Sequence, residues 1–311
     1  ISLDNGNCET ATDTITYGAG IRLLNKLQSV YGYTNDLTRK GLLDLASKLS
    51  KSFSEKRKIL VTQIKKVPTK KHHQPKITFD SLTKEEKVDY LLKGSNAAKN
   101  VDEKIVRVMA GLMNKVQKVY IFNSDGKYIT DTRTRGRVYV SAIASNGSAI
   151  ESAFSGPGAC KGFEFFENEI DIEQVGIATA KSALLMLDAK ECPSGKMPVI
   201  IGNGFGGVIF HEACGHSLEA SSVSKNLSVF SNKLGEKIAS NIVSAVDDGT
   251  IEGAWGSENV DDEGTPSQRN VLIENGILKS YLVDYKNDRR MNHGLTGSSR
   301  RQSYKFSPTS R

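Results

Sequence analysis

The chain has 311 residues, of which 38% are hydrophobic and 25% charged, and its formal net charge is +7. This composition is typical of a globular protein with one large or two ordinary domains. No apolar run approaches the roughly 20 residues that a membrane span requires, and no signal peptide is recognisable. The four cysteines are scattered without a C-x-x-C pair, so reduced thiols in a cytoplasmic protein are expected.

The first hundred residues predict a β-hairpin followed by two helices. Strands are expected at residues 18–24 and 31–34. The apolar spacing of residues 37–49 predicts an amphipathic helix. Thr83 and Glu86 have the spacing of a capping box, which predicts the start of a helix that ends near Lys99.

The positive charge is concentrated between Lys51 and Lys71, where eight basic residues accompany one acid, Glu55. A basic patch can bind nucleic acid, but no aromatic residues alternate with these charges to stack on bases. A solvated face or loop is therefore the preferred interpretation. The adjacent His72 and His73 are not expected to bind a metal, because neighbouring side chains diverge.

The next part of the chain predicts a β-meander and then a helix. Hairpin turns are expected at Asp125-Gly126 and Asn146-Gly147, between β-rich runs such as 118–122 and 137–142. Residues 171–190 predict a helix with a face of small residues, including Ala180 and Ala183. Pro193 to Gly195 resembles a linker, which divides the chain into an N-terminal domain, 1–193, with an antiparallel sheet and helices, and a C-terminal domain, 194–311. The alternation of meanders and helices indicates the α+β class.

The C-terminal domain is expected to be β-rich with mixed or antiparallel strands. Strands are predicted at 199–201, 269–274 and 277–283, with a helix at 234–243 and a hairpin turn at Asn275-Gly276. The acidic run Asp261-Asp262-Glu263 precedes Gly264 and Pro266. It is interpreted as a loop that could contact substrate or, in principle, a metal.

The segment that carries chemistry reads His211-Glu-Ala-Cys-Gly-His216. Imidazole nitrogen is a preferred zinc ligand, and hydrolytic zinc sites keep one position open for water. A carboxylate beside a ligand, here Glu212, is well placed to act as the general base. The pattern therefore predicts a zinc site with His211 and His216 as ligands. Cys214 is interpreted as a small buried thiol that points away from both histidines.

The spacing of the two histidines is one residue longer than in the familiar H-E-x-x-H motif. On an α-helix, residues five apart are turned by about 140° and separated by about 7.5 Å, so both rings could not reach one ion. A one-residue π-bulge would restore a common face, and Gly215 would ease such a distortion by tolerating unusual backbone angles. A deformed helix at Ala213–Gly215 is therefore predicted.

Two other interpretations of this segment remain open. The histidines could be unrelated residues on a partly buried helix, in a metal-free module that binds peptides. Alternatively, Gly202-x-Gly204-x-x-Gly207 between a strand and a helix matches a dinucleotide-binding fingerprint, which would indicate a nucleotide-binding enzyme. The fingerprint also requires a second strand with an acidic residue about 20 positions on, and residues 221–230 are polar and serine-rich instead.

These residues resemble the metalloprotease motif of the TldD/PmbA family, specifically its TldD-type subunit. The resemblance extends over most of the chain. The similar blocks are residues 18–22, 32–36, 211–219, 228–231, 246–250, 261–266, 270–279 and 300–304. PmbA-type subunits lack the histidine motif, so the chain is similar to the catalytic type.

The resemblance implies a cytoplasmic zinc peptidase that acts on peptides or unfolded protein segments. It also implies a dimer, formed with a second copy or with a PmbA-type subunit. Family members are longer at both ends, so this sequence is expected to be part of a longer protein. A third metal ligand, a cysteine, is expected beyond Arg311. Cys192 and His293 are weaker local candidates for that role.

Overall fold

A computed structural model describes residues 1–54 and 62–311 of the chain. Within these residues the strands are β1 (Ser2–Asp4), β2 (Asn7–Thr10), β3 (Ala19–Asn25), β4 (Gln28–Thr34), β5 (Lys65–Lys66), β6 (Ile105–Phe122), β7 (Lys127–Ser145), β8 (Ile150–Ser155), β9 (Gly158–Ala159), β10 (Ala245–Asp248), β11 (Arg269–Glu274), β12 (Ile277–Leu278), β13 (Ser299–Arg300) and β14 (Thr309–Ser310). The helices are α1 (Arg39–Ser50), α2 (Lys84–Lys99), α3 (Glu164–Asn168), α4 (Ile172–Leu187), α5 (Val208–Phe210), α6 (Ala220–Val223) and α7 (Tyr285–Met291).

A long antiparallel hairpin, β6 and β7, is the centre of the larger sheet. Its turn contains Asp125-Gly126, and the Asn146-Gly147 turn connects β7 to β8, so both predicted hairpins are confirmed. The strand order is β2-β1-β6-β7-β5, with β8 and β9 also paired to β7. Only β5 among these strands runs parallel to its neighbour. Helices together with several antiparallel sheets confirm the α+β class.

The first hydrophobic core lies between this sheet and helices α2 and α4. The predicted capping box is present at the start of α2: Thr83 Oγ1 accepts from the backbone N–H of Glu86, and the Glu86 carboxylate accepts from that of Thr83. The two helices pack closely because a Cβ at Gly176 would lie 2.2 Å from the carbonyl oxygen of Gly94. Ala180 and Ala183 are fully buried here, as the small-residue face predicts.

The second hydrophobic core lies around the sheet β10-β11-β12. Asn275 and Gly276, at the turn between β11 and β12, have φ of 50° and 80°, which the predicted tight hairpin requires. The predicted strand at 277–283 is shorter than expected, since β12 ends at Leu278. Residues 281–283 nevertheless contribute three buried side chains to this core.

The prediction of a helix at residues 234–243 is wrong. This segment lies along the β11–β12 hairpin and exchanges backbone hydrogen bonds with it: Gly235 N donates to Leu278 O, Leu278 N to Glu236 O, and Ile238 N to Gly276 O. Backbone groups that bond across to a neighbour cannot form the i to i+4 bonds of a helix. The apolar spacing that resembled a helix face instead places Ile238 and Val243 against the second core.

Buried ion pairs connect β7 to the loop before β11. Arg133 is 5% exposed, and its guanidinium lies 2.8 Å from Asp262 Oδ1 and 3.4 Å from both Asp131 Oδ2 and Glu258 Oε2. Glu258 also pairs with Arg135 and Arg300. This set of side chains, hereafter the Arg133 cluster, joins the central sheet to the C-terminal part of the chain.

The acidic run forms a loop, as predicted, but its carboxylates face into the protein. Asp261 accepts backbone N–H groups from Glu263, Thr265 and Ser299, and burial raises its pKa to about 6. Glu263 pairs with Arg22, and burial raises its pKa as well. The expectation of substrate or metal contacts from this run is therefore wrong, because protein groups already occupy the carboxylates.

No helix within residues 1–54 and 62–311 has the length and apolar character needed to cross a bilayer.

Of the basic stretch Lys51–Lys71, residues 55–61 lie outside the described residues. The interpretation of this stretch as a solvated face or loop therefore stays a prediction.

Candidate metal centre

The approach to the histidine motif differs from the predicted strand, turn and helix. Residues 199–201 form no strand, and their side chains are exposed, Ile200 by 99%. A short apolar run becomes a buried strand only where a neighbouring strand pairs with it, and no strand within residues 1–54 and 62–311 does so here. The glycines form a 3₁₀ turn, Gly204–Gly207, that leads into the three residues of α5. The strand that a dinucleotide fingerprint requires before its glycines is therefore absent from this segment.

The motif itself forms the predicted deformed helix. Residues His211–Gly215 are one turn of π-helix, in which the backbone N–H of His216 donates to the carbonyl of His211. This bond joins residues five apart, one more than in an α-helix. The two rings consequently lie on the same side, with centroids 4.4 Å apart and planes inclined by 64°. The predicted π-bulge is confirmed.

The reason for a glycine at position 215 is different from the one expected. Gly215 has φ of −55° and ψ of −56°, which any residue can adopt in a helix. A Cβ at this position would instead lie 3.3 Å from Nδ1 of His211, closer than most real Cβ contacts. Gly215 thus provides space for the imidazole and not an unusual backbone angle.

Replacing Gly215 by valine is therefore expected to weaken metal binding, although no ligand is removed. The valine methyl groups would displace the His211 ring, whereas Gly215→Ala adds only the Cβ and should have a smaller effect. Zinc affinity measured by competition with a chromophoric chelator tests this order. Equal affinity of the glycine and valine proteins would contradict the contact argument.

The donor atoms fit a zinc ion. One donor atom from each of His211, Glu212 and His216 can be chosen so that all three lie within 4.8 Å of one another. Zinc–nitrogen bonds of about 2.0–2.1 Å place two ligands of a tetrahedral ion about 3.3 Å apart, so small side-chain adjustments suffice. Among the described residues, no other group of three or more histidine, cysteine or acidic side chains has donor atoms this close together.

The other candidate ligands lie elsewhere. Cys214 is half-buried and Cys192 exposed, and neither thiol belongs to the group of donor atoms. His293 lies beside Tyr281 and Ser280, on the second core. The backbone N–H of His73 donates to Asn259, and the Nδ1 of its ring accepts from the backbone N–H of Gly253.

A functional contact that the sequence reasoning missed involves Glu219. Its carboxylate Oε1 lies 2.7 Å from Nδ1 of His216. The residue stands three positions after the second histidine, and this spacing on a helical turn was the available signal. Glu212 behaves differently: its side chain is 65% exposed, and its Oε2 lies 3.9 Å from Nε2 of the same ring.

A cavity of about 440 Å³ opens beside His211 and Glu219. Its walls include the end of β10 and the residues that lead into β13, and Asp247 and Arg300 are among its charged groups. Burial raises the pKa of Asp247, although Asn270 donates a hydrogen bond to its carboxylate. One side of the candidate metal centre is thus open to a molecule larger than water.

Comparison with domain descriptions gives three consecutive matches. Residues 1–52 match "PmbA/TldA metallopeptidase domain 1", residues 77–187 match the central domain, and residues 194–311 match the C-terminal domain of the same family. Together these matches account for most of the chain.

Curated proteins named as metalloproteases are similar to the chain. The metalloprotease TldD homolog of Buchnera aphidicola from Schizaphis graminum is 34% identical over 100% of this chain and 65% of its own length. The Haemophilus influenzae homolog is 38% identical over 75% of this chain and 49% of its own length. A Methanocaldococcus jannaschii metalloprotease is 33% identical over 96% and 66%. The chain thus spans less than two thirds of the length of these relatives.

Solved structures share the fold. A protein from Thermotoga maritima superposes with a TM-score of 0.79 at 24% identity, over 98% of this chain and 68% of its own. TldE from Thermococcus kodakarensis superposes with a TM-score of 0.73 at 19% identity, over 93% and 65%. At such identities the likeness concerns the fold alone.

Proposed function

The chain belongs to the PmbA/TldD family of metallopeptidases, and from this membership we propose a zinc-dependent peptidase in which His211 and His216 hold the ion. The observation that carries the proposal is the π-helical turn, which brings both imidazoles and Glu212 within 4.8 Å. Zinc, when bound, would supply Lewis acidity toward a peptide carbonyl and toward water. Glu212 is the proposed general base.

The setting of Glu212 suits a base better than a permanent ligand. Its side chain is 65% exposed and follows a ligand directly in sequence, so it can reach water on the open side of the histidine pair. A carboxylate there can accept a proton from attacking water and return it to the departing amine. Both transfers use the same oxygen atoms without movement of the helix.

A peptide or unfolded protein segment is the proposed substrate. The cavity beside His211 has four glycines in its walls, Gly215, Gly249, Gly256 and Gly297, so much of its surface is backbone. Exposed backbone can bind the backbone of an extended peptide without reading its side chains. The proposed substrate class of the whole protein is therefore extended peptide chain.

A dimer, with a second copy or with a PmbA-type subunit, is also proposed. Large apolar side chains are exposed immediately before the motif, among them Ile200 at 99%, Phe205 at 89% and Ile209 at 61%. Where exposed apolar side chains form a contiguous patch, the patch is typical of protein interfaces. Light scattering of the purified protein, alone and with the partner subunit, tests the proposed dimer.

A cytoplasmic location is proposed because the four cysteines are free, and free thiols are typical of reducing compartments.

Metal content and chelator sensitivity test the peptidase proposal. We expect one zinc per chain in the full-length protein, and cleavage of unstructured peptides that stops with chelator and returns with zinc. The double variant His211→Ala and His216→Ala should retain the fold and lose both metal and cleavage. A protein that binds peptides without zinc and without cleavage would instead support the metal-free binding module.

A further inference from the structure

The carboxylate of Glu219 lies against one of the two ring nitrogens of His216. Its Oε1 lies 2.7 Å from Nδ1, and its side chain is only 16% exposed. A separation this short between a carboxylate oxygen and a ring nitrogen is that of an N–H donor and a charged acceptor. A carboxylate that accepts this hydrogen bond requires a hydrogen on Nδ1, and in a singly protonated ring Nε2 then carries the lone pair.

The second hydrophobic core holds Glu219 in place. Its neighbours Leu218 and Ala220 are fully buried. Ala220 N donates to Leu282 O, and Leu282 N donates to Leu218 O, so the backbone on both sides of Glu219 is bonded to the core. The backbone of Glu219 is therefore bonded both to the packed core and, through its own N–H, to the carbonyl of His216.

The two sides of the His216 ring have different surroundings. Glu219 Oε1 lies at Nδ1, whereas Nε2 lies 3.9 Å from Oε2 of Glu212, another member of the donor group. Within residues 1–54 and 62–311, no comparable hydrogen bond is present for the ring of His211. The two histidines are therefore unequal: one is oriented by a carboxylate and the other is not.

Resting on the proposed zinc site, we propose that Glu219 is a positioning residue that accepts the Nδ1–H of His216 and directs the Nε2 lone pair toward the ion. Glu219 does not itself contact the ion, because it occupies the opposite edge of the ring. Carboxylates in this position orient histidine ligands and raise their basicity, and their removal typically costs about 10–100-fold in metal affinity.

The first test needs no metal. The chain has five histidines, so ¹⁵N-histidine labelling of the metal-free protein above neutral pH gives few ring signals to assign. We expect His216 as the Nδ1–H tautomer in the wild-type protein. Glu219→Gln keeps an acceptor oxygen and should preserve that tautomer, whereas Glu219→Ala should give a mixture. A wild-type ring protonated on Nε2 would overturn the proposal.

The second test measures zinc affinity. We expect about a 10–100-fold loss for Glu219→Ala and a smaller loss for Glu219→Gln. The matched control is Glu164→Gln, because Glu164 is another buried carboxylate, bound by the backbone N–H groups of Lys76, Ile77 and Gly162, far from the motif in sequence. This control should lower stability without changing zinc affinity.

The possible outcomes separate this proposal from the proposed function. Wild-type affinity in Glu219→Ala would overturn the positioning role, and a loss as complete as that of His216→Ala would make Glu219 a direct ligand and overturn it as well. A wild-type protein without zinc would contradict the peptidase proposal and the part of this inference that concerns the ion. In that case the tautomer measurement still decides whether Glu219 orients the ring.

Discussion

Glu212→Gln is expected to keep bound zinc while lowering the rate of peptide cleavage by roughly 10²–10⁴-fold, the usual contribution of a general base. Glutamine has the shape of glutamate but cannot accept the proton of the attacking water. Glu212 is exposed beside the first ligand, and it is the one carboxylate in the donor group, so no second carboxylate of that group can replace it. Turnover and zinc content should be measured on the same full-length preparation.

The matched control for this variant is Glu252→Gln, which removes an exposed carboxylate outside the motif and should leave turnover unchanged. Loss of zinc in parallel with loss of rate would identify Glu212 as a ligand. Normal turnover in Glu212→Gln would exclude it as the base and leave the proton transfer without an assigned residue.

The second large effect is expected in the Arg133 cluster. Arg133→Leu should lower the free energy of unfolding by about 3–5 kcal/mol, because removing one partner of a buried pair leaves uncompensated charge. Asp131, Glu258 and Asp262 would each lose a cation that lies within 3.4 Å. Denaturant unfolding followed by circular dichroism gives the free energy directly.

Arg107→Leu is the control for this loss. Arg107 pairs with Asp4 on the surface, with 48% and 19% of the two side chains exposed, and exposed pairs contribute about 0–1 kcal/mol. Both variants therefore replace an arginine of a charged pair by leucine, and the two pairs differ in how deeply they are buried. Similar small losses for both would mean that the Arg133 cluster is accessible to water in solution.

The sequence alone determined the features that depend on neighbouring residues. The capping box of Thr83 and Glu86 and the turns at Asp125-Gly126, Asn146-Gly147 and Asn275-Gly276 follow from local backbone preferences. The π-helical turn followed from geometry, because five-residue spacing is incompatible with an α-helix if both imidazoles serve one site. The family resemblance rested on the same local motifs.

Tertiary structure decided what depends on distant partners. Residues 199–201 form no strand because no strand in the described part of the chain pairs with them. Residues 234–243 form no helix because their backbone groups bond to the β11–β12 hairpin. The acidic run at 261–263 looked available for ligands, yet arginines and backbone groups from distant parts of the chain occupy it. Glu219 acquires its contact with His216 from the core that holds its backbone. For residues 234–243 and the acidic run, burial and pairing outweigh local preference, since an unpaired buried polar group costs more than propensity can supply.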